Sequence, residues 1–175
     1  MVMRKNGFSL VELMVVVAVL AIMGAVAVPN FVTGMSNYRM KRAASDLAAR
    51  IRQARATAVK EHRDVPVRFI VNNNRYFINT QWYPESGQSL PQYYGDGISY
   101  GTGDATQNAT KWGGSLPGDG VSFAGDGFSF NVMGLSTDTG YVYLNNGKGK
   151  VYAVGMETLG GAIYVRRWSG GQWYP

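Results

Sequence analysis

Cysteine is absent from the 175 residues and histidine occurs once. The first absence removes disulfides, thiolate metal sites and a cysteine nucleophile. The second leaves only His62, which reads as a helix-end residue, and no acid or serine motif of recognisable spacing accompanies it, so catalysis has little to stand on. Acid is scarce where base is plentiful. Through Arg68 there are 11 Lys and Arg against 4 Asp and Glu, and beyond it 6 against 7, so the net charge of +6 belongs to the N-terminal part. Charge of either sign is nearly missing from "LVELMVVVAVLAIMGAVAV", residues 10–28, where Glu12 stands alone. At about 1.5 Å per residue that run matches the hydrocarbon thickness of a bilayer.

Three readings compete for the opening segment: a secretory signal, an ordinary membrane anchor, or a helix that occupies two environments in succession. A cleaved secretory signal has a shorter apolar run, about 7 to 15 residues, followed by a small-x-small site. Here the run is longer and the small residue, Gly7, precedes it. An ordinary anchor tolerates an acid near its start, where the penalty falls below the ~2 to 3 kcal/mol of the bilayer centre, but does not account for one.

The short basic leader, Gly7, Phe8, Ser9, Leu10, Glu12 and the apolar run resemble the class III signal of type IV pilins and type II secretion pseudopilins. The resemblance implies cleavage after Gly7 by a membrane-embedded prepilin peptidase and methylation of the new amino group of Phe8. It also implies that Glu12 pairs with the amine of a neighbouring subunit in a packed filament. An unpaired carboxylate among apolar helices is costly, and pairing both relieves the cost and selects one axial stagger. Arg4 and Lys5 lie closer to the apolar run than Arg39, Lys41 and Arg42, which favours a cytoplasmic N-terminus.

Pro29 removes a backbone donor and is expected to kink the helix rather than end it. Apolar residues resume at helical spacing with Phe31, Met35, Tyr38, Leu47, Ile51, Ala54 and Ala58, and Asp46 can pair with Arg50 one turn on. An amphipathic helix to about Lys60 is therefore expected, packed on a head. Its eight Lys and Arg between residues 39 and 63, against two acids, read as a solvated face meeting acidic loops of adjacent heads, with lipid headgroups or DNA as alternatives. After His62 the period becomes alternating. "VPVRFIV", a turn at "NNN" and "RYFINTQW" read as a hairpin; further strands are expected at "VSF", "GFSFNVMG", "YVYLN", "KVYAVG" and "AIYVRRW", with "NNGKG" as a hairpin turn. Residues 83–120 form a long Gly, Ser, Pro and Tyr-rich stretch, weakly strand-like around 98–100. A stretch of that length is more often functional or subunit-contacting than a plain connector.

The helix "RMKRAASDLAARIRQARATAVKEHRDVPVRF", with Arg55 and Lys60 at its end, together with "FSFNVMGL" (Phe130, Gly134, Leu135) and "YVYL", is similar to the GspH/FimT family of minor pseudopilins and minor pilins. Gly160-Gly161 replaces the Gly-Arg common before the last strand in that family. The expected fold is α+β: a leader (1–7), a transmembrane and filament-core helix (8–29), an amphipathic helix (30–61) and a small antiparallel β head (62–175). The resemblance implies a structural subunit, not an enzyme, without a cofactor. The resemblance further implies that it is held in the bacterial inner membrane by one span with a periplasmic head, then assembled into a periplasmic pseudopilus or extracellular filament. Its implied partners are other pilin or pseudopilin subunits, the peptidase, the inner-membrane assembly platform, and lipid before assembly. A minor, initiating or tip position is the first reading; a major pilin and a tip DNA receptor are the alternatives.

Some motifs invite sharper readings. Asp96, Asp119 and Asp126 each precede a glycine and are turn formers first; some pilin relatives hold calcium in head loops, but this spacing is not that of a calcium loop. "GTGD" lacks the strand and helix a phosphate loop needs, and Asn108-Ala109-Thr110 is a glycan acceptor by pattern alone. In the tail "YVRRWSGGQWYP", Arg166, Arg167 and Trp168 could contact phosphates and stack on bases. The competing reading is an edge strand blunted by charge, with Trp168 or Trp173 covering the core or a neighbour.

Overall fold

The computed structural model describes residues 8–175 except Ser86 and Asp96, and leaves aside the side chains of Val26, Val28, Pro29 and Asn30 within the first helix. That helix, α1 (Leu10–Glu61), is continuous through position 29. The chain divides into two compact units, Met1–Ser36 and Asn37–Pro175, with α1 contributing to each. Gly7 and the rest of the leader lie outside the described residues.

In the first unit the helix starts on a cap. Ser9 Oγ accepts the backbone N–H of Glu12 at 3.2 Å, and the Ser9 carbonyl accepts that of Leu13. Such a cap satisfies a donor the helix start would otherwise leave open. All side chains from residue 8 to residue 23 are exposed, although all but Ser9 and Glu12 are apolar. Among the described residues no helix is long and apolar enough to cross a membrane. The spanning expectation therefore rests on the sequence run 10–28, which includes positions 26 and 28.

In the second unit α1 buries Met40, Ala43, Ala44, Leu47, Ala48, Ile51, Ala54 and Ala58 in one core with residues of the strands. The expected stripe is correct from Leu47 onward and wrong before it: Phe31 and Tyr38 are 69% and 65% exposed. Stepping back from Leu47 by threes and fours leads to Ala44, Ala43 and Met40. Small alanines, which carry little weight in a hydropathy pattern, therefore mark the true face. Asp46 does not pair with Arg50. It faces Arg42 at 3.6 Å and accepts from Tyr94, while Arg50 bonds Glu85 at 2.7 Å. The helix closes with His62 in the left-handed region (φ 49°) and the Arg63 N–H on the Ala58 carbonyl, a six-residue closure that ends the ladder without leaving that carbonyl open.

Two antiparallel sheets follow. The first has the order β3-β2-β1-β5, from β1 (Val65–Ile70), β2 (Arg75–Ile78), β3 (Gln81–Tyr83) and β5 (Gly127–Phe130). The second, β4-β6-β7-β8-β9, comprises β4 (Ser99–Tyr100), β6 (Gly140–Asn145), β7 (Val151–Met156), β8 (Tyr164–Ser169) and β9 (Gln172–Tyr174). The hairpin turn at 146–150 joins β6 to β7 as expected. "RYFINTQW" is two strands, because Asn79 takes a positive φ of 58° and pairs Ile78 with Gln81 across a two-residue turn. "VSF" contributes only an isolated bridge, Val121 to Val142. A second two-residue turn, Gly170-Gly171, adds the unforeseen β9.

The 83–120 stretch has a structural task in the head. Its short helix α2 (Leu90–Tyr94) sends Leu90 and Tyr94 into the main core. Ala105 and Ala109 cover the other face of the second sheet with Tyr141, Tyr143, Val151, Ala153 and Trp168. Strand β6 is consequently buried on both faces, Val142 and Leu144 toward the helix side and Tyr141 and Tyr143 toward the loop. Alternation of side chains along a strand produces that division. It also explains why "YVYL" reads as an apolar run rather than an alternating one.

Candidate assembly site

Phe8 and Glu12 bracket the first helical turn, and both are exposed. The Ser9 cap makes "SLVE" half of a reciprocal capping box, a signal legible in the sequence that the family resemblance overshadowed. An acid in the first turn also faces the positive end of the helix dipole, worth about 0.3 to 1 kcal/mol at an exposed site. Glu12 thus has a local use inside one chain. That use does not explain why every apolar neighbour through residue 23 projects into open space. A helix that is apolar on all sides needs an apolar surrounding on all sides.

The tail residues do not form a common surface. Arg166 is half turned inward: its Nη2 bonds Glu157 Oε1 at 2.6 Å, its Nη1 bonds the Ala109 carbonyl, and its guanidinium lies 5.6 Å from the Tyr141 ring centre. Arg167 is exposed, and Trp168 is buried beside Trp173 at 5.1 Å between ring centres. Consecutive strand residues point to opposite faces, so an Arg-Arg-Trp run cannot offer one platform.

Three further ties fasten the covering loop to the sheet. Tyr143 donates its hydroxyl to Asn108 Oδ1 at 2.7 Å and accepts the Ala109 N–H at 2.8 Å, and Trp173 Nε1 donates to the Gln107 carbonyl. Burial pushes the Tyr143 hydroxyl up to about 12, against the weaker opposing effects of the Ala109 hydrogen bond and the Arg166 charge. Glu157 is the hub. Its Oε1 accepts from Arg166, from the Lys111 N–H at 3.1 Å and from the Tyr141 hydroxyl at 3.3 Å. Sequence reasoning missed Glu157 because its partners lie 9, 46 and 16 residues away and no local pattern joins them.

Of the three aspartates weighed for calcium, Asp96 lies outside the described residues. The Asp126 carboxyl is held above its ordinary value by burial first, and then by the charge and hydrogen-bonding influence of Asp119. Among the described residues no group of three or more His, Cys, Asp or Glu could hold a metal ion. His62 sits at the helix end, and Gly134 bonds Arg55 of α1 through its carbonyl at 2.9 Å, joining the helix to the loop after β5.

Residues 2–28 match the prokaryotic N-terminal methylation motif, and residues 43–160 match the family described as type II transport protein GspH. The chain is 33% identical over 140 residues to the "Type IV major pilin protein PilA" of Myxococcus xanthus (strain DK1622), covering 77% of this chain and 56% of that protein. It is 33% identical over 61 residues to a "Fimbrial protein" of Pseudomonas aeruginosa, covering 35% of this chain and 39% of that one. The chain thus spans about half or less of the length of these relatives. No solved structure matches. The methylation motif over the capped apolar helix and the family match over most of the head identify a structural subunit of the pilin and pseudopilin superfamily, not an enzyme, and the chain belongs to the GspH family of type II transport proteins.

Proposed function

We propose that the chain is made as an inner-membrane precursor with a cytoplasmic leader and a periplasmic head, is cut after Gly7 and methylated at Phe8, and is then drawn into a helical filament through residues 8–29. The observation that carries this reading is the exposure of every apolar side chain from residue 8 to residue 23 around a helix whose only charge there is Glu12. Lipid first, and apolar helices of other subunits afterwards, supply the all-round apolar surrounding. Glu12 then takes the liberated amine of a neighbour as its partner and fixes the stagger between subunits. Pro29 lacks the N–H that would close the helix at that point, so the backbone can bend there during extraction from the bilayer. The prepilin peptidase and an inner-membrane assembly platform are the partners this route requires.

The match to GspH over residues 43–160 favours a minor subunit at an initiating or tip position. The relative named as a major pilin favours the alternative, a bulk subunit. Shearing filaments from cells and quantifying this chain against total filament protein separates the two: a minor subunit is present as a trace component, and recovery as the dominant band overturns that assignment. A DNA receptor is disfavoured by the inward commitment of Arg166 and Trp168.

A further inference from the structure

Beside the covering loop lies a groove of about 560 Å³, between that loop and the start of β6. Its size falls in the range of small-ligand sites, roughly 300 to 1,000 Å³. The polar lining is made of uncharged groups, among them Asn108, Thr110, Ser122 and Thr139, with Trp112 and Tyr141 as aromatic walls. Glu157 is the one formally charged residue in the lining. Its charge is answered by Arg166, with the two side chains 9% and 15% exposed.

Two features mark this groove as built rather than incidental. Trp112 is 83% exposed, the most exposed large apolar side chain in the head, yet its backbone is fixed, its main-chain N–H donating to Thr110 Oγ1 and the adjacent Lys111 main-chain N–H to Glu157. Keeping an indole in water costs apolar free energy, and the ties around Asn108, Ala109 and Lys111 hold the loop so that the ring stays at the groove. The second feature is the carboxylate. All three hydrogen bonds to Glu157 fall on Oε1, and among the described residues Oε2 accepts none. Glu157 lines the groove with a side chain that is 9% exposed, so the carboxylate is within reach of a ligand seated there.

A flat indole face, neutral amide and hydroxyl groups, and one strong acceptor held in a wall of no net charge suit a ligand with an apolar C–H face and many hydroxyl donors. We infer that this groove binds a neutral saccharide, stacked on Trp112 and donating a hydroxyl to Glu157 Oε2. A cationic ligand would also favour an indole and a carboxylate, but Arg166 lies 2.6 Å from that carboxylate and opposes a second cation. An anionic ligand would meet the free oxygen of Glu157. A charge-assisted hydrogen bond from a hydroxyl supplies orientation, and the ring supplies contact area.

The test uses the full chain purified in a polyoxyethylene ether detergent, because glycoside detergents would compete. It is passed over immobilised neutral oligosaccharides of hexose and N-acetylhexosamine units, with sialylated oligosaccharides and tetramethylammonium as comparison arms. The expected result is saturable binding to at least one neutral glycan, weakened about tenfold by Trp112→Ala and less by Trp112→Phe. Trp82→Ala, on another exposed tryptophan, should leave it unchanged. Absence of neutral-glycan binding, binding that survives Trp112→Ala, or preference for the sialylated or ammonium arm overturns the assignment. None of these readouts requires a filament, so the groove and the assembly route fail independently.

Discussion

Precursors carrying Glu12→Leu or Glu12→Gln are expected, on the proposed assembly route, to insert, to be cut after Gly7 and then to fall out of filaments by about tenfold or more, while the helix itself stays formed. The reason lies in what each substitution removes. The Ser9 cap uses the backbone N–H of residue 12, so it survives both changes. The dipole contribution of the carboxylate is lost, but at about 0.3 to 1 kcal/mol this is too small to unfold a 52-residue helix. In the assembled core the loss is of another order. Removing one member of a buried pair strands the other, in the proposed filament the amine of a neighbour, at a cost of about 3 to 5 kcal/mol for each subunit. Glutamine tests the point most sharply because it keeps shape and hydrogen-bonding capacity and removes only charge. Circular dichroism of the detergent-solubilised chain checks the helix, and filament yield checks assembly. Wild-type yield from either variant would reduce Glu12 to a helix-start residue.

Gly155→Ala should destabilise the head by about 3 kcal/mol or more. A Cβ at position 155 would stand 2.0 Å from the Gly140 carbonyl oxygen and 2.6 Å from Tyr141 Cα. Both are backbone atoms, so no rotamer change relieves the clash. The pair Tyr141 and Gly155 lies at the centre of the second sheet, where β6 and β7 are flanked by strands on both sides and covered on both faces. Relief therefore requires parting the ladder or lifting the 105–109 cover from Tyr141 and Tyr143. Thermal or denaturant unfolding of the full chain in detergent measures the loss. A change under about 1 kcal/mol would show that the sheet is looser than its packing implies.

The N-terminal methylation motif is the most legible part of the sequence because its information is local. Gly7, Phe8, Glu12 and the apolar run are contiguous, and their chemistry does not depend on what the rest of the chain does. The α+β class and most strands were also readable, since β1, β7 and β8 announce themselves by composition and turn residues. Errors collected where small residues or long-range partners decide. The buried face of α1 is written in Ala43, Ala44 and Ala48, which hydropathy barely distinguishes from surface. The turns at Asn79 and at Gly170-Gly171 needed only two residues each, so one expected strand became two and the last strand passed unnoticed. The 83–120 stretch looked like a contact loop because its targets, Tyr141, Tyr143 and Trp168, are far along the chain. Glu157 and Trp112 carry no motif at all. Only the folded head brings their surroundings into one groove.

In the proposed filament the amine created at Phe8 meets Glu12 of another subunit. Treating isolated filaments with a zero-length carbodiimide and sequencing the cross-linked peptides by mass spectrometry tests it directly, since the reagent joins an amine to a carboxylate only when they touch. The expected product is an amide between the Phe8 nitrogen and the Glu12 side chain within a covalent dimer of mature chains. Filament subunits that still begin at Met1, or a Phe8 amine that couples only within its own chain, would contradict it.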